Sequence, residues 1–140
     1  MLLAFIVLAF VGCQRKGITP VSFTDVHVED TFWRQRLDTL RNKTIRYAFE
    51  RSDRAGYVRN FAIAAGLMAG RFQSGQPFDD ADLFKVIEGA AYLLKVEPDP
   101  ELEQYVDSII DIVVAAQDPD GYLFTNRTIN NPLHPWCGKE

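Results

Sequence analysis

Phe61-Ala62-Ile63-Ala64-Ala65-Gly66-Leu67-Met68-Ala69-Gly70 offers no polar face to water. A helix on a protein surface carries its apolar residues along one stripe, so a helix that is apolar nearly all round must be wrapped by protein. The run predicts such a helix over residues 57–72, with small side chains that let neighbours approach closely. Periodicity marks three more helices around it. Residues 30–51 place Phe32, Trp33, Leu37, Leu40, Ile45, Ala48 and Phe49 loosely on one side, with Arg34, Arg36, Arg41, Lys43 and Arg46 elsewhere. Asp79 or Asp80 can accept the first free amides of a third helix with the stripe Leu83, Phe84, Ile87, Ala90, Ala91 and Leu94, which Pro98 prevents from continuing. Asp99 as cap and Pro100 at the first helical position open a fourth, where Leu102, Tyr105, Val106, Ile109, Ile110, Val113 and Ala116 recur at helical spacing.

Two successive helical hairpins, one wrapped in apolar contact, argue for an all-α array such as an (α/α) barrel or a helical solenoid. Either one needs more hairpins than these. Comparison of the two hairpins shows no 34-residue repeat, since Asn60-Phe61 has no counterpart in the second, and the solenoid loses ground. Ahead of the helices, Val21, Phe23, Val26 and Val28 alternate with polar residues after Pro20. That pattern predicts a short β segment within residues 14–30, whose backbone groups would need a partner strand.

The chain has 140 residues, 47% of them hydrophobic and 12% aromatic, which is enough for one globular domain with a core. A formal charge of -4 gives no electrostatic reason to expect nucleic acid as a partner. Residues 2–12 form an unbroken apolar run, followed at once by Cys13 and the polar Gln14-Arg15-Lys16. Eleven residues span roughly 16 Å as a helix, about half the hydrocarbon thickness of a bilayer, so an export signal fits better than a membrane span. Phe10-Val11-Gly12-Cys13 looks like a lipobox, with Phe10 where Leu is usual and no basic residue ahead of the run. Residues 1–13 are therefore expected to be a lipoprotein signal, Cys13 the lipidated residue, and the protein an exported periplasmic or cell-surface lipoprotein. The second cysteine, Cys137, then has no disulfide partner in the chain.

Four segments in order carry a family resemblance: Phe23-Thr24-Asp25-Val26 through Asp30-Thr31-Phe32-Trp33-Arg34-Gln35-Arg36; Asn60-Phe61; Asp80-Ala81-Asp82-Leu83-Phe84-Lys85-Val86-Ile87-Glu88-Gly89-Ala90-Ala91-Tyr92; and Ala116-Gln117-Asp118-Pro119-Asp120-Gly121-Tyr122-Leu123-Phe124-Thr125. Together they resemble glycoside hydrolase family 127, the β-L-arabinofuranosidases, across residues 18–137. The resemblance implies that residues 31–140 are the N-terminal part of an (α/α)6 barrel, and that the full-length enzyme removes L-arabinofuranose from plant-type glycans with retention of configuration. It also implies a cysteine nucleophile in a zinc site of cysteines and a glutamate, far downstream. No catalytic residue and no bound metal are then expected within these residues, and the polypeptide alone is expected to be inactive. The alternative from another class is a non-catalytic helical surface lipoprotein that binds glycans or a partner protein.

Each candidate side chain has a bland reading beside its functional one. Glycosidases usually need two carboxyls roughly 5 to 9.5 Å apart, whereas Asp80 and Glu88 would lie about 12 Å apart along a helix axis. Asp82, Lys85 and Glu88 at three-residue steps read as an ion-pair ladder. The other reading turns one of Asp80, Asp82 or Glu88 into a sugar-binding groove. Gln117-Asp118-Pro119-Asp120-Gly121-Tyr122 is turn chemistry first, with sugar contact by Gln117 or Tyr122 as the alternative. His134 and Cys137 could begin a zinc site but lack two further ligands, and Trp136 could stack on a sugar ring. The substrate-binding candidates are thus Asp80, Asp82, Gln117, Tyr122 and Trp136.

Overall fold

A computed structural model describes residues 17–73 and 75–131. After a single turn of 3-10 helix at Phe23–Asp25, the chain forms α1 (Thr31–Thr39), a π-helical turn (Leu40–Thr44), α2 (Ile45–Arg54), α3 (Tyr57–Ala64), α4 (Asp80–Val96), α5 (Pro100–Ala115) and α6 (Thr125–Asn130). Helix α2 packs against α4 and α3 against α5, the hairpins α2–α3 and α4–α5 close on themselves, and α6 seats on α3.

The long first helix is interrupted where periodicity shows nothing. The Ile45 amide donates to the Leu40 carbonyl five residues back rather than four, and one extra residue in a turn rotates everything beyond it by about 100°. The apolar stripe expected to run from Phe32 to Phe49 is therefore split. Ile45 and Phe49 are buried, whereas Phe32, Trp33, Leu37 and Leu40 stay exposed and α1 buries nothing. The Arg36 guanidinium lies 3.4 Å over the Phe32 ring and covers part of that face.

Helix α3 is shorter than expected. Gly66 adopts φ +71°, a left-handed conformation that ends the helix after Ala64, and Leu67 emerges into the loop 63% exposed. The chain then doubles back along α3, and the Gln73 amide donates to Asn60 Oδ1 at 2.8 Å. The tight turn between α2 and α3 depends on Gly56, whose φ is +86°. A Cβ there would lie 2.9 Å from both the Cβ and the backbone oxygen of Gln73, so glycine is what lets the returning loop approach.

Phe49 from α2, Phe61 from α3, Leu83 and Ala90 from α4, and Leu102, Val106 and Ile109 from α5 form one core, with Ile45 and Ala116 at its margins. Each large side chain removed from water contributes about 1.5–3 kcal/mol. Phe49 meets Tyr105 edge-to-face at 5.3 Å and Phe61 meets Phe84 at 5.7 Å, tying the layers together. Asp99 caps α5 as its sequence predicts, accepting the Leu102 amide at 3.0 Å with Pro100 in the first turn. Asp79 and Asp80 do not cap α4 with their side chains.

The short β segment expected within residues 14–30 is replaced, over the described residues 17–30, by the 3-10 turn and irregular backbone. Alternation needs a neighbouring strand to become a ladder, and no strand occurs among the described residues. The segment is attached by side chains instead. Ser22 Oγ caps the turn at the Thr24 amide, and the Phe23 ring meets Tyr92 of α4 edge-to-face at 5.3 Å. Among the described residues no helix is long and apolar enough to cross a membrane. The expected signal and lipidation site at residues 1–13 lie outside the described residues.

Candidate functional site

The start of α4, the loop after α5 and the start of α6 meet through Asp80. Its Oδ2 accepts the Thr125 amide at 2.7 Å and its Oδ1 accepts the Thr125 hydroxyl at 2.6 Å, and both residues are buried. Helix α6 has Phe124 at its cap position, which offers no side-chain acceptor. Asp80 therefore satisfies the first amide of a helix 45 residues away, the service a local cap normally performs. Burial pushes its carboxyl pKa above the usual carboxylate value, against the two Thr125 hydrogen bonds that lower it, and Asp79 adds to the rise.

The loop from Gln117 to Tyr122 is a turn stitched at every step. The Asp118 amide donates to the Tyr122 carbonyl at 2.8 Å, the Gly121 amide to the Asp118 carbonyl at 2.8 Å, and the Tyr122 amide to Asp120 Oδ1 at 2.9 Å. Gln117 Nε2 donates to the Gly121 carbonyl at 2.7 Å. Arg127 of α6 closes the assembly, with Nη1 2.7 Å from Asp118 Oδ2 and its guanidinium 5.0 Å over the Tyr122 ring. The turn reading and the presentation of Tyr122 from a fixed loop thus coexist.

Asp82 faces solvent, one turn from Lys85, whose Nζ lies 2.7 Å from its Oδ1. That hydrogen bond is the main cause raising the Lys85 pKa, with the Asp82 charge second. Tyr57 at the start of α3 is pushed up by burial, then by the charges of Asp79 and Asp82. The structure therefore brings Asp80, Gln117 and Tyr122 into one hydrogen-bonded assembly. Asp82 is kept in its own ion pair beside it, and Trp136, His134 and Cys137 lie outside the described residues.

Sequence reasoning missed the functions of Asn60 and Thr125. Asn60 is buried and holds the returning loop through Gln73, and its Nδ2 has no hydrogen-bond partner among the described residues. An Asn at the head of the apolar run was its signal. Thr125 gave none, because its partner is distant in sequence. Among the described residues no three His, Cys, Asp or Glu side chains gather where they could hold a metal. A groove of about 630 Å³ lies apart from this assembly, between α2 and α5, over Phe49, Leu102 and Tyr105 and rimmed by Arg46, Asp53 and Glu101.

The model of the β-L-arabinofuranosidase GH127 catalytic domain matches residues 25–139. This chain belongs to that family. The GH127 chain is 33% identical over 126 residues to the non-reducing end β-L-arabinofuranosidase of Bifidobacterium longum subsp. longum, a match covering 76% of this chain and 19% of that relative. Among solved structures it superposes on the GH127 β-L-arabinofuranosidase of Geobacillus stearothermophilus T6 with a TM-score of 0.75 and 39% identity, covering 80% of this chain and 19% of the other. A second solved GH127 β-arabinofuranosidase gives a TM-score of 0.75 at 48% identity, covering 86% and 19%. The GH127 chain thus spans about a fifth of the length of these relatives, and its helical hairpins are part of an (α/α)6 barrel.

Proposed function

We propose that the complete product of the reading frame encoding these residues hydrolyses terminal L-arabinofuranosides of plant-type glycans, and that this chain supplies part of its barrel and one substrate-contact loop. The observation that supports this most is the GH127 catalytic-domain match over residues 25–139, joined to a shared fold at 39% and 48% identity. On this reading Tyr122 and Gln117 contact the sugar from the stitched loop, with Asp82 and Trp136 as flanking contacts. An aromatic ring gives a sugar an apolar face to stack on, and an amide reads its hydroxyls. Nucleophile and zinc ligands belong to other parts of that product. Purified complete product should release nitrophenol from a nitrophenyl β-L-arabinofuranoside, and Tyr122→Ala should raise KM. Absence of turnover on arabinofuranosides of either anomer would overturn the reading.

The lipobox-like run ending at Cys13 supports export and a lipid anchor in the membrane. Metabolic labelling with a fatty acid should mark the wild-type protein and not Cys13→Ala. Equal labelling of both would refute the anchor.

A further inference from the structure

Resting on that functional reading, we propose that Asp80 is a positioning residue for substrate binding: by clamping Thr125 it fixes α6, and α6 in turn sets the loop that presents Gln117 and Tyr122. Both carboxylate oxygens are turned to Thr125, at 2.7 Å and 2.6 Å, so Asp80 acts through α6 rather than by touching sugar. Helix α6 has six residues and no side-chain cap of its own, so few internal hydrogen bonds define its place. The loop is tied to that helix by Arg127, through Asp118 and the Tyr122 ring. A displacement of α6 is therefore passed to Tyr122.

The chemistry at position 80 favours this role over simple packing. Taking a carboxylate out of water is costly, and at position 80 that cost is offset by the two hydrogen bonds accepted from the buried Thr125. What a carboxylate adds is direction: two acceptors in one plane hold one amide and one hydroxyl and so fix both the place and the orientation of the α6 start. Leu83, one turn on, supplies the apolar anchor for the same end of α4.

The test compares Asp80→Asn, Thr125→Val and Thr125→Ser in the complete gene product, with KM, kcat and thermal midpoint measured together. Asp80→Asn leaves one acceptor and Thr125→Val removes only the hydroxyl, so the second variant carries the test if the first does not fold. Positioning predicts KM raised roughly tenfold in Asp80→Asn and Thr125→Val with kcat little changed, the signature of lost uniform binding. Thr125→Ser, which keeps both hydrogen bonds, should retain the wild-type KM. A lowered thermal midpoint with unchanged KM in both disruptive variants would overturn the inference and leave Asp80 as a stability element. Wild-type product without arabinofuranosidase activity would overturn the functional reading, and this inference with it.

Discussion

Arg46 at the start of α2 reaches Asp99 at the start of α5, its Nη2 2.9 Å from Asp99 Oδ2, while Asp99 Oδ1 holds the Leu102 amide at 3.0 Å. One carboxylate thus caps a helix and joins two hairpins. Its pKa is lowered, chiefly by the Leu102 amide hydrogen bond, with Arg46 contributing beside it. A carboxyl whose folded pKa lies below its unfolded value stabilises the fold above that unfolded value, and the contribution is lost as pH falls through the folded one. Asp99→Ala should therefore lower the thermal midpoint at pH 7 and have progressively less effect as the solution is acidified below the ordinary carboxyl value of 3.8. A midpoint difference between wild type and variant that is constant from pH 7 to pH 2 would contradict this.

Gly56→Ala forces a Cβ to 2.9 Å from the Gln73 backbone oxygen at a left-handed φ. Strain alone costs about 1–2 kcal/mol, and displacement of the returning loop adds to it. The variant should melt earlier than wild type, whereas Gly75→Ala, in open space at ordinary φ, should not. Equal midpoints for the two variants would refute the close approach.

Phe61 is fully buried between α3 and its neighbours, while its ring partner Phe84 is 39% exposed. Phe61→Ala should cost about 3–5 kcal/mol in lost transfer and cavity energy, and Phe84→Ala distinctly less. Denaturant midpoints of the complete gene product rank the two, and a larger loss at Phe84 would contradict the core assignment.

The polypeptide of residues 1–140 leaves large apolar side chains open on several described elements, among them Trp33 on α1, Phe78 before α4, Tyr92 on α4 and Val114 on α5. An environment-sensitive hydrophobic dye should fluoresce strongly with this polypeptide. A sharp cooperative melt without dye binding would show these faces to be stable in water.

Much of this architecture was legible because its signals were local. Asp99-Pro100 announces α5 and apolar spacing shows the faces of α4 and α5, since caps and periodicity act within one helix. The π-turn at Leu40–Thr44 was not legible, because one extra residue changes which face is buried without changing composition. The end of α3 was hidden by Leu67 and Met68, which continue an apolar run after Gly66 has already turned the chain away. Alternation from Val21 to Val28 imitated a strand although no described strand lies beside it. At the candidate site, Gln117, Tyr122 and Asp80 were each visible as residue types, but the clamp between Asp80 and Thr125 depends on a contact made only after the hairpins pack.

Arabinofuranosidase activity is read most directly in steady-state hydrolysis of a nitrophenyl β-L-arabinofuranoside by the complete product of the reading frame, alongside the polypeptide of residues 1–140. Saturable turnover is expected from the complete product and none from residues 1–140. An inactive complete product, or equal turnover by the two, would contradict that expectation.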